Sequence, residues 1–348
     1  MRESELIIYR NLGKEELFGK MAELMDSCGK KGEDICEEEQ PRLLYFCLHG
    51  LIDLASEHGF RGNLWHCYLA NLIVNDENSY SLACEMRGKV SGSINDAAFH
   101  DIRIFKEFYD FGFTDMSKKL HCPELSLIED YDGGNLESKV YNTRICEKIC
   151  GLADELGRAR TAEEMKDTIT EFYREYGVGK FGLHKSFRVE KDDKGVHLVP
   201  ILKIAHVKLN DLVGYEIAKK KLTDNTEAFV SGRKANNCLL FGDAGTGKSS
   251  SIKAIANEYY ERGLRIIEIY KHQFQCLNDV IAQIKNRNYK FIIYMDDLSF
   301  EDFETEYKYL KAVIEGGLER KPENVLIYAT SNRRHLIREN YSDREEIR

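Results

Sequence analysis

The segment GDAGTGKS at 242–249 sets its glycines, lysine and serine at the spacing G-x-x-x-x-G-K-[ST]. Gly242, Gly245 and Gly247 can adopt turn conformations closed to other residues and bring the backbone close to an anion. The N–H groups freed in such a loop, with the N-terminus of a following helix, form a cradle for phosphate. In this reading Asp243, Ala244, Thr246 and Ser250 belong to the cradle by position. Lys248 reaches the β- and γ-phosphates, and the Ser249 hydroxyl ligates Mg²⁺. Forty-eight residues beyond Lys248, FIIYMDD places Asp296 at the end of an apolar run, where a carboxylate can hold the magnesium shell across from Ser249. The run NVLIYATSN ends in Thr330, Ser331 and Asn332, a polar ending suited to sensing a γ-phosphate or a water. The expected cofactors are ATP and Mg²⁺, with Ser249 and Asp296 as metal residues.

These residues need a scaffold that brings three strand ends together. After residue 205, apolar strands alternate with helical patterns: NNCLLFGD, SSIKAIANEYYERG, LRIIEIY, a helix to about 287, KFIIYMDD, a helix containing YKYLKAVIEGGL, and NVLIYATSN. Near-continuous apolar strands in that alternation predict a parallel sheet covered on both faces, a three-layer α/β/α core. Residues 1–180 instead show helical apolar spacing, as in PRLLYFCLHGLIDLASEHG and DAAFHDIRIFKEFYDF, and predict a helical domain. Thr161 followed by Glu164 predicts a capping box, with Gly177 and Gly179 as the stop. Around DDKG, LHKSFRVE and GVHLVPIL predict a β-hairpin at roughly 182–202. The expected domains are 1–180 helical, 181–205 a hairpin linker, and 206–348 the nucleotide-binding core.

The glycine-rich loop, the acidic strand end and the polar strand end together resemble the AAA+ ATPases: a Walker A loop, a Walker B strand and a sensor asparagine, Asn332. The resemblance implies that the sensor strand lies between the Walker A and Walker B strands, giving the order LRIIEIY, KFIIYMDD, NVLIYATS, CLLFGD. It also implies adenine contacts from Val213, Gly214 and Tyr215 in DLVGYE. The set GNLWHCYLANLIVNDEN, DLVGYE, DDLSFE and LIYATSNRRHL is similar, over nearly the whole chain, to the bacterial AAA+ family called domain of unknown function 815. Catalytic roles then fall on Asp296, Asp297 and Asn332. Asp297 stands where most such proteins carry a glutamate base, and one methylene less predicts slow hydrolysis. Glu301 is a reserve base in an acidic run with Asp302, Glu304 and Glu306. The sequence ends 16 residues past Asn332, before the fifth strand, arginine finger and lid that the resemblance implies. Arg333, Arg334 and Arg344 are the arginines left to serve as a finger. The expected activity is hydrolysis of ATP to drive conformational change or assembly on an unknown protein partner, by a homo-oligomer in the complete form. The alternatives are an ATP-binding switch or scaffold with little hydrolysis and an ATPase similar to DNA-helicase loaders.

Composition narrows the setting. At 348 residues, with 43% hydrophobic and 31% charged side chains, 4 Pro and 26 Gly, the chain is globular and long enough for about two domains. Its apolar runs fall far short of the roughly 18 residues that span a bilayer, and the first residues have no signal-peptide pattern. Ten Cys without a compact framework read as reduced thiols, so a cytoplasmic location is expected. Net charge is −9, and the acidity is concentrated in residues 1–205, whereas 206–348 carry 23 basic and 22 acidic side chains. That balance disfavours nucleic acid as the partner of the helical part, despite Arg174, Lys180 and Lys185 among aromatics. Cys146 and Cys150 share a helix face, and His66-Cys67 and His121-Cys122 are adjacent. No spacing completes a four-ligand zinc site. Trp65, Tyr68, Leu69 and Leu72 read as core.

Overall fold

Both parts of the chain follow their hydrophobic periods in the computed structural model, which describes residues 3–29, 39–134, 142–300, 308–311 and 322–333. The chain divides into two compact units, 1–183 and 184–348.

The first unit is helical: α1 (Glu16–Gly29), α2 (Glu39–His58), α3 (Leu64–Asn75), α4 (Ser79–Arg87), α5 (Ser93–Tyr109), α6 (Phe113–Lys119), α7 (Ser126–Glu129), α8 (Thr143–Arg158), α9 (Ala162–Tyr176) and α10 (Gly179–Leu183). Side-chain caps start several of these helices by satisfying N–H groups that have no partner within the helix. The backbone N–H groups of His66 and Ile145 donate to Asn63 Oδ1 and Asn142 Oδ1. Asn78 and Ser81 form a reciprocal capping box. Thr161 Oγ1 accepts from Glu164 N as expected, but the Glu164 carboxylate accepts from Arg160 N, one residue before the cap. Gly177, at φ 79°, ends α9.

The core of this unit gathers Phe18, Trp65, Phe105, Phe108 and Tyr173. Trp65 Nε1 donates to Phe108 O at 3.0 Å, so the indole's one polar atom is satisfied inside the apolar cluster. Of the four residues read as core, Trp65, Tyr68 and Leu69 are buried and Leu72 packs at the margin. Fully buried Asp101 accepts backbone N–H bonds from Ile7, Ile8 and Tyr9, which ties the N-terminal segment to α5.

The second unit carries a six-stranded sheet in the order β2-β1-β4-β5-β6-β3. Its strands are β1 (Ser186–Asp192), β2 (Gly195–Pro200), β3 (Cys238–Phe241), β4 (Leu264–Glu268), β5 (Lys290–Met295) and β6 (Val325–Ser331). The parallel order β4-β5-β6-β3 is the one the resemblance implies. The hairpin departs from expectation. Its strand β1 pairs in parallel with β4, with Phe187 opposite Ile267, so residues 186–200 extend the sheet instead of forming a separate linker. The apolar positions of β1 supply a buried neighbour for β4 that loop residues could not.

Helices α11 (Glu216–Val230) and α12 (Lys248–Tyr259) pack on the sheet through Leu222, Phe229, Ile252 and Ile255 against Ile266, Ile292 and Tyr328. The Tyr328 hydroxyl meets Asn225 Nδ2 and Thr226 Oγ1, both at 2.9 Å, and so pins α11 to β6. Helix α13 (Leu277–Ile284) completes the labelled helices. Among the described residues no helix is long and apolar enough to cross a membrane.

Candidate functional site

Strand register decides which residues meet. Leu240 lies opposite Thr330 and Phe241 opposite Ser331, while Met295 lies opposite Ala329. The loop leaving β3 and the acidic pair leaving β5 therefore flank the end of β6, at the carboxyl edge of a parallel sheet, where open α/β sheets bind ligands.

The loop turns directly into α12. Gly245 (φ 79°) and Gly247 (φ 81°) lie in the left-handed region that side-chain-bearing residues avoid, and Gly247 caps the helix. Gly242 N donates to Ser331 O at 3.2 Å, and Thr246 Oγ1 closes the turn on Asp243 O at 2.9 Å. Lys248 Nζ lies back over this loop, donating to Gly242 O and Asp243 O, both at 2.7 Å, and to Asn332 Oδ1 at 3.1 Å. Three donors on one ammonium, all directed across the loop, put a positive charge where a phosphate would lie.

Asn332 is shared. Its Nδ2 donates to Asp297 Oδ1 at 3.0 Å, so one amide links Lys248 to Asp297. Asp297 N donates to Thr330 Oγ1 at 3.0 Å. Thr330 Oγ1 in turn donates to Asp296 Oδ1 at 2.5 Å, and Ser249 Oγ donates to the same oxygen at 2.8 Å. Partial burial pushes the Asp296 carboxyl up. The hydroxyls of Thr330, Tyr294 and Ser249 and the Asp297 amide overcome that and hold it below its ordinary range. An ionised carboxylate next to a serine hydroxyl is a donor set that fits a hard divalent cation such as Mg²⁺.

Two adjoining cavities surround this network. One of about 330 Å³ is lined by Ala244, Gly245, Ser249, Ser250, Asp296, Asp297, Thr330 and Asn332. The other, about 890 Å³ and largely apolar, lies between α11 and β3 and is lined by Tyr215, Ile217, Leu222, Leu239, Phe241 and Asp243. Thr246 and Lys248 line both, so a polar end and an apolar end meet across the loop. An apolar pocket with a few converging polar groups suits a ligand with a flat ring system and an anionic tail.

The three residues expected to touch a ring system divide. Tyr215 lines the apolar cavity. Val213 and Gly214 are absent from its lining among the described residues, and Val213 is 95% exposed. Gly214 (φ 87°) and Tyr215 (φ 56°) are consecutive left-handed residues that make the sharp entry into α11. Arg333 is described, its N–H donating to Ser331 Oγ. Arg334, Arg344, Glu301, Asp302, Glu304 and Glu306 lie outside the described residues.

Sequence reasoning missed Tyr294, whose hydroxyl donates to Asp296 Oδ1 at 2.6 Å. It reads as one more apolar residue of β5, and only its spacing of two from Asp296, on the same side of the strand, could have marked it. In the helical unit, Cys150 Sγ lies 3.7 Å from Cys67 Sγ and 3.9 Å from Cys146 Sγ.

Residues 183–348 match the family described as "Protein of unknown function (DUF815)", so the similarity expected over nearly the whole chain is found in the second unit. The replication factor C large subunit of Staphylothermus marinus is 36% identical over 81 residues, covering 23% of this chain and 18% of that protein. Its counterpart in Methanococcus vannielii is 43% identical over 76 residues, 22% of this chain and 15% of that one. The chain thus matches less than a fifth of these relatives' length. Among solved structures, DnaI is 26% identical with a TM-score of 0.27, covering 37% of this chain and 71% of that one. The Holliday junction branch migration motor RuvB of Thermotoga maritima is 18% identical with a TM-score of 0.28, covering 38% and 43%. Residues 183–348 are thus similar to the DUF815 family, and they form a mainly parallel α/β sheet with a glycine-rich loop between β3 and α12.

Proposed function

We propose that this chain binds Mg-ATP and hydrolyses it, using the energy to drive conformational change or assembly on a protein partner. One observation carries the reading: a continuous hydrogen-bonded path, Lys248–Asn332–Asp297–Thr330–Asp296–Ser249, joins the phosphate loop to the ends of β5 and β6.

In this reading the 242–249 backbone and Lys248 bind the β- and γ-phosphates, and the apolar cavity receives the adenine beside Tyr215. Ser249 and Asp296 hold the cation, which when bound neutralises phosphate charge as the γ-phosphoryl group departs. Asp297 accepts a proton from the attacking water. Asn332, already bonded to both Lys248 and Asp297, holds base and phosphate charge in register, and positioning of that kind supplies much of phosphoryl-transfer catalysis.

Binding of a fluorescent ATP analogue and steady-state turnover test this reading. Lys248→Ala should weaken nucleotide affinity by on the order of tenfold or more, since it removes a charge-assisted contact worth roughly 1.5–3 kcal/mol. Asp296→Asn should largely spare metal-free nucleotide binding and abolish Mg²⁺-dependent turnover, because it acts through the cation. Unchanged affinity in the Lys248 variant rejects the assignment of the loop.

A second reading, a nucleotide-dependent switch with little turnover, is favoured by Asp297 itself. Its short side chain is held by Asn332, which limits its reach toward a water. Steady-state turnover at saturating ATP separates the two. The partner is proposed to be a protein, because residues 1–205 carry the chain's excess acidity. A DNA-facing role, suggested by the names of the replication factor C relatives, is tested by salt-dependent DNA binding. A homo-oligomer is proposed, with specific activity rising with protein concentration, and the cytoplasm is the proposed location.

A further inference from the structure

Three hydroxyls converge on one oxygen of Asp296, and they come from three elements: Ser249 from α12, Thr330 from β6, and Tyr294 from β5 itself, at 2.8, 2.5 and 2.6 Å. A carboxylate on a single Cβ turns about a broad, roughly two-fold torsion, so packing of its own stem does not fix its orientation. Tyr294 is 5% exposed, and its ring belongs to the apolar cluster of Ile252, Ile266, Ile292 and Tyr328. A phenyl ring would fill that space equally well. A buried hydroxyl also carries a desolvation cost unless it is bonded. The bond to Asp296 is therefore what accounts for a tyrosine here.

We infer that Tyr294 is a positioning residue that holds the magnesium-binding carboxylate in the orientation in which it meets the cation. This rests on the Mg-ATP reading above and deepens it. Ser249 must direct a lone pair at the cation when one binds, whereas Tyr294 and Thr330 keep their hold on Asp296 throughout. The carboxylate is oriented before the metal arrives, and no orienting cost is left for binding. Partners of this kind behind a metal ligand typically contribute about 10–100-fold in metal affinity.

The test uses the full chain and a fluorescent ATP analogue, titrated in EDTA and then at stepped Mg²⁺, for wild type and Tyr294→Phe. The expected result is metal-free affinity within about twofold of wild type, an unchanged melting curve in EDTA, and a Mg²⁺ midpoint raised about tenfold. An unchanged Mg²⁺ midpoint overturns the inference and leaves the Mg-ATP reading standing. A fall in melting temperature or in metal-free affinity assigns the hydroxyl to packing and also overturns it. In a double-mutant cycle with Asp296→Asn, the two losses should be non-additive, and additive losses contradict the proposed route through Asp296. A wild-type chain that fails to bind the analogue rejects the Mg-ATP reading and this inference with it.

Discussion

Asp297 sits at φ 48°, a left-handed conformation that costs a non-glycine residue on the order of 1–3 kcal/mol. It is retained because its surroundings fix it from two directions: the backbone N–H is bonded to Thr330 Oγ1 and the carboxylate to Asn332. The chain leaves β5 by turning at this residue, which carries the carboxylate across to the side chain of Asn332 and away from the line of β5. If Asp297 is the base, Asp297→Asn keeps the length and the Asn332 contact but removes the acceptor. It should lower kcat by roughly 10²–10⁴-fold with nucleotide affinity retained. The check is single-turnover hydrolysis alongside analogue binding. A loss below about tenfold moves the base elsewhere and favours the switch. Asp297→Glu measures reach in the same assay, and a faster rate identifies the missing methylene as the limit on turnover.

At the scale of elements, helix-to-helix joints in the first unit hold a titratable group whose state bears on stability. His66 opens α3, and its Nε2–H donates to Tyr109 O at the end of α5, 3.0 Å away. Burial pushes this imidazole below its ordinary range, against the opposing effects of the carbonyl and of Asp154 and Asp110. The folded state therefore takes up a proton later than the unfolded chain as pH falls. Stability is fully present above the unfolded value of about 6.5 and declines below it until the folded form also protonates. Lowering pH from 7.5 to 5.5 should reduce the melting temperature more in wild type than in His66→Gln, whose amide can still donate to Tyr109 O. Equal falls would show that His66 contributes nothing to the slope. Elements of this kind were legible in the sequence where one local pattern decided them. The strands around Ile292 and Ile327 read directly as buried because both faces are covered, and the turn at 242–249 read directly because strand, glycines and helix lie in one stretch. What escaped depended on contacts between distant segments. The docking of β1 on β4 and the bond from Tyr294 to Asp296 follow from tertiary register, and no local period encodes them.

For the molecule as a whole, the described residues include one buried cluster around Trp65, Phe105 and Phe108 in the first unit and one around Ile252, Ile292 and Tyr328 in the second. Every residue of the proposed nucleotide site falls in the second. A ligand that binds only the folded form stabilises it by RT ln(1 + [L]/Kd), about 2.7 kcal/mol at a hundredfold excess over Kd. That stabilisation enters only the unfolding reaction of the unit that makes the contacts. Mg-ATP should therefore raise the calorimetric transition of residues 184–348 in the full chain. A fragment of residues 1–183, with its own aromatic core and capped helices, should melt cooperatively at one temperature with or without Mg-ATP. A nucleotide-dependent shift in that fragment would place a second nucleotide contact in the helical unit, and absence of a cooperative melt would show that its core does not suffice by itself. Lys248→Ala in the full chain serves as the internal control. It should leave the melting of residues 1–183 untouched and cancel about half or more of the shift in the other unit, as a loss of affinity on the order of tenfold or more requires; Lys248 lines both the polar and the apolar end of the cavity.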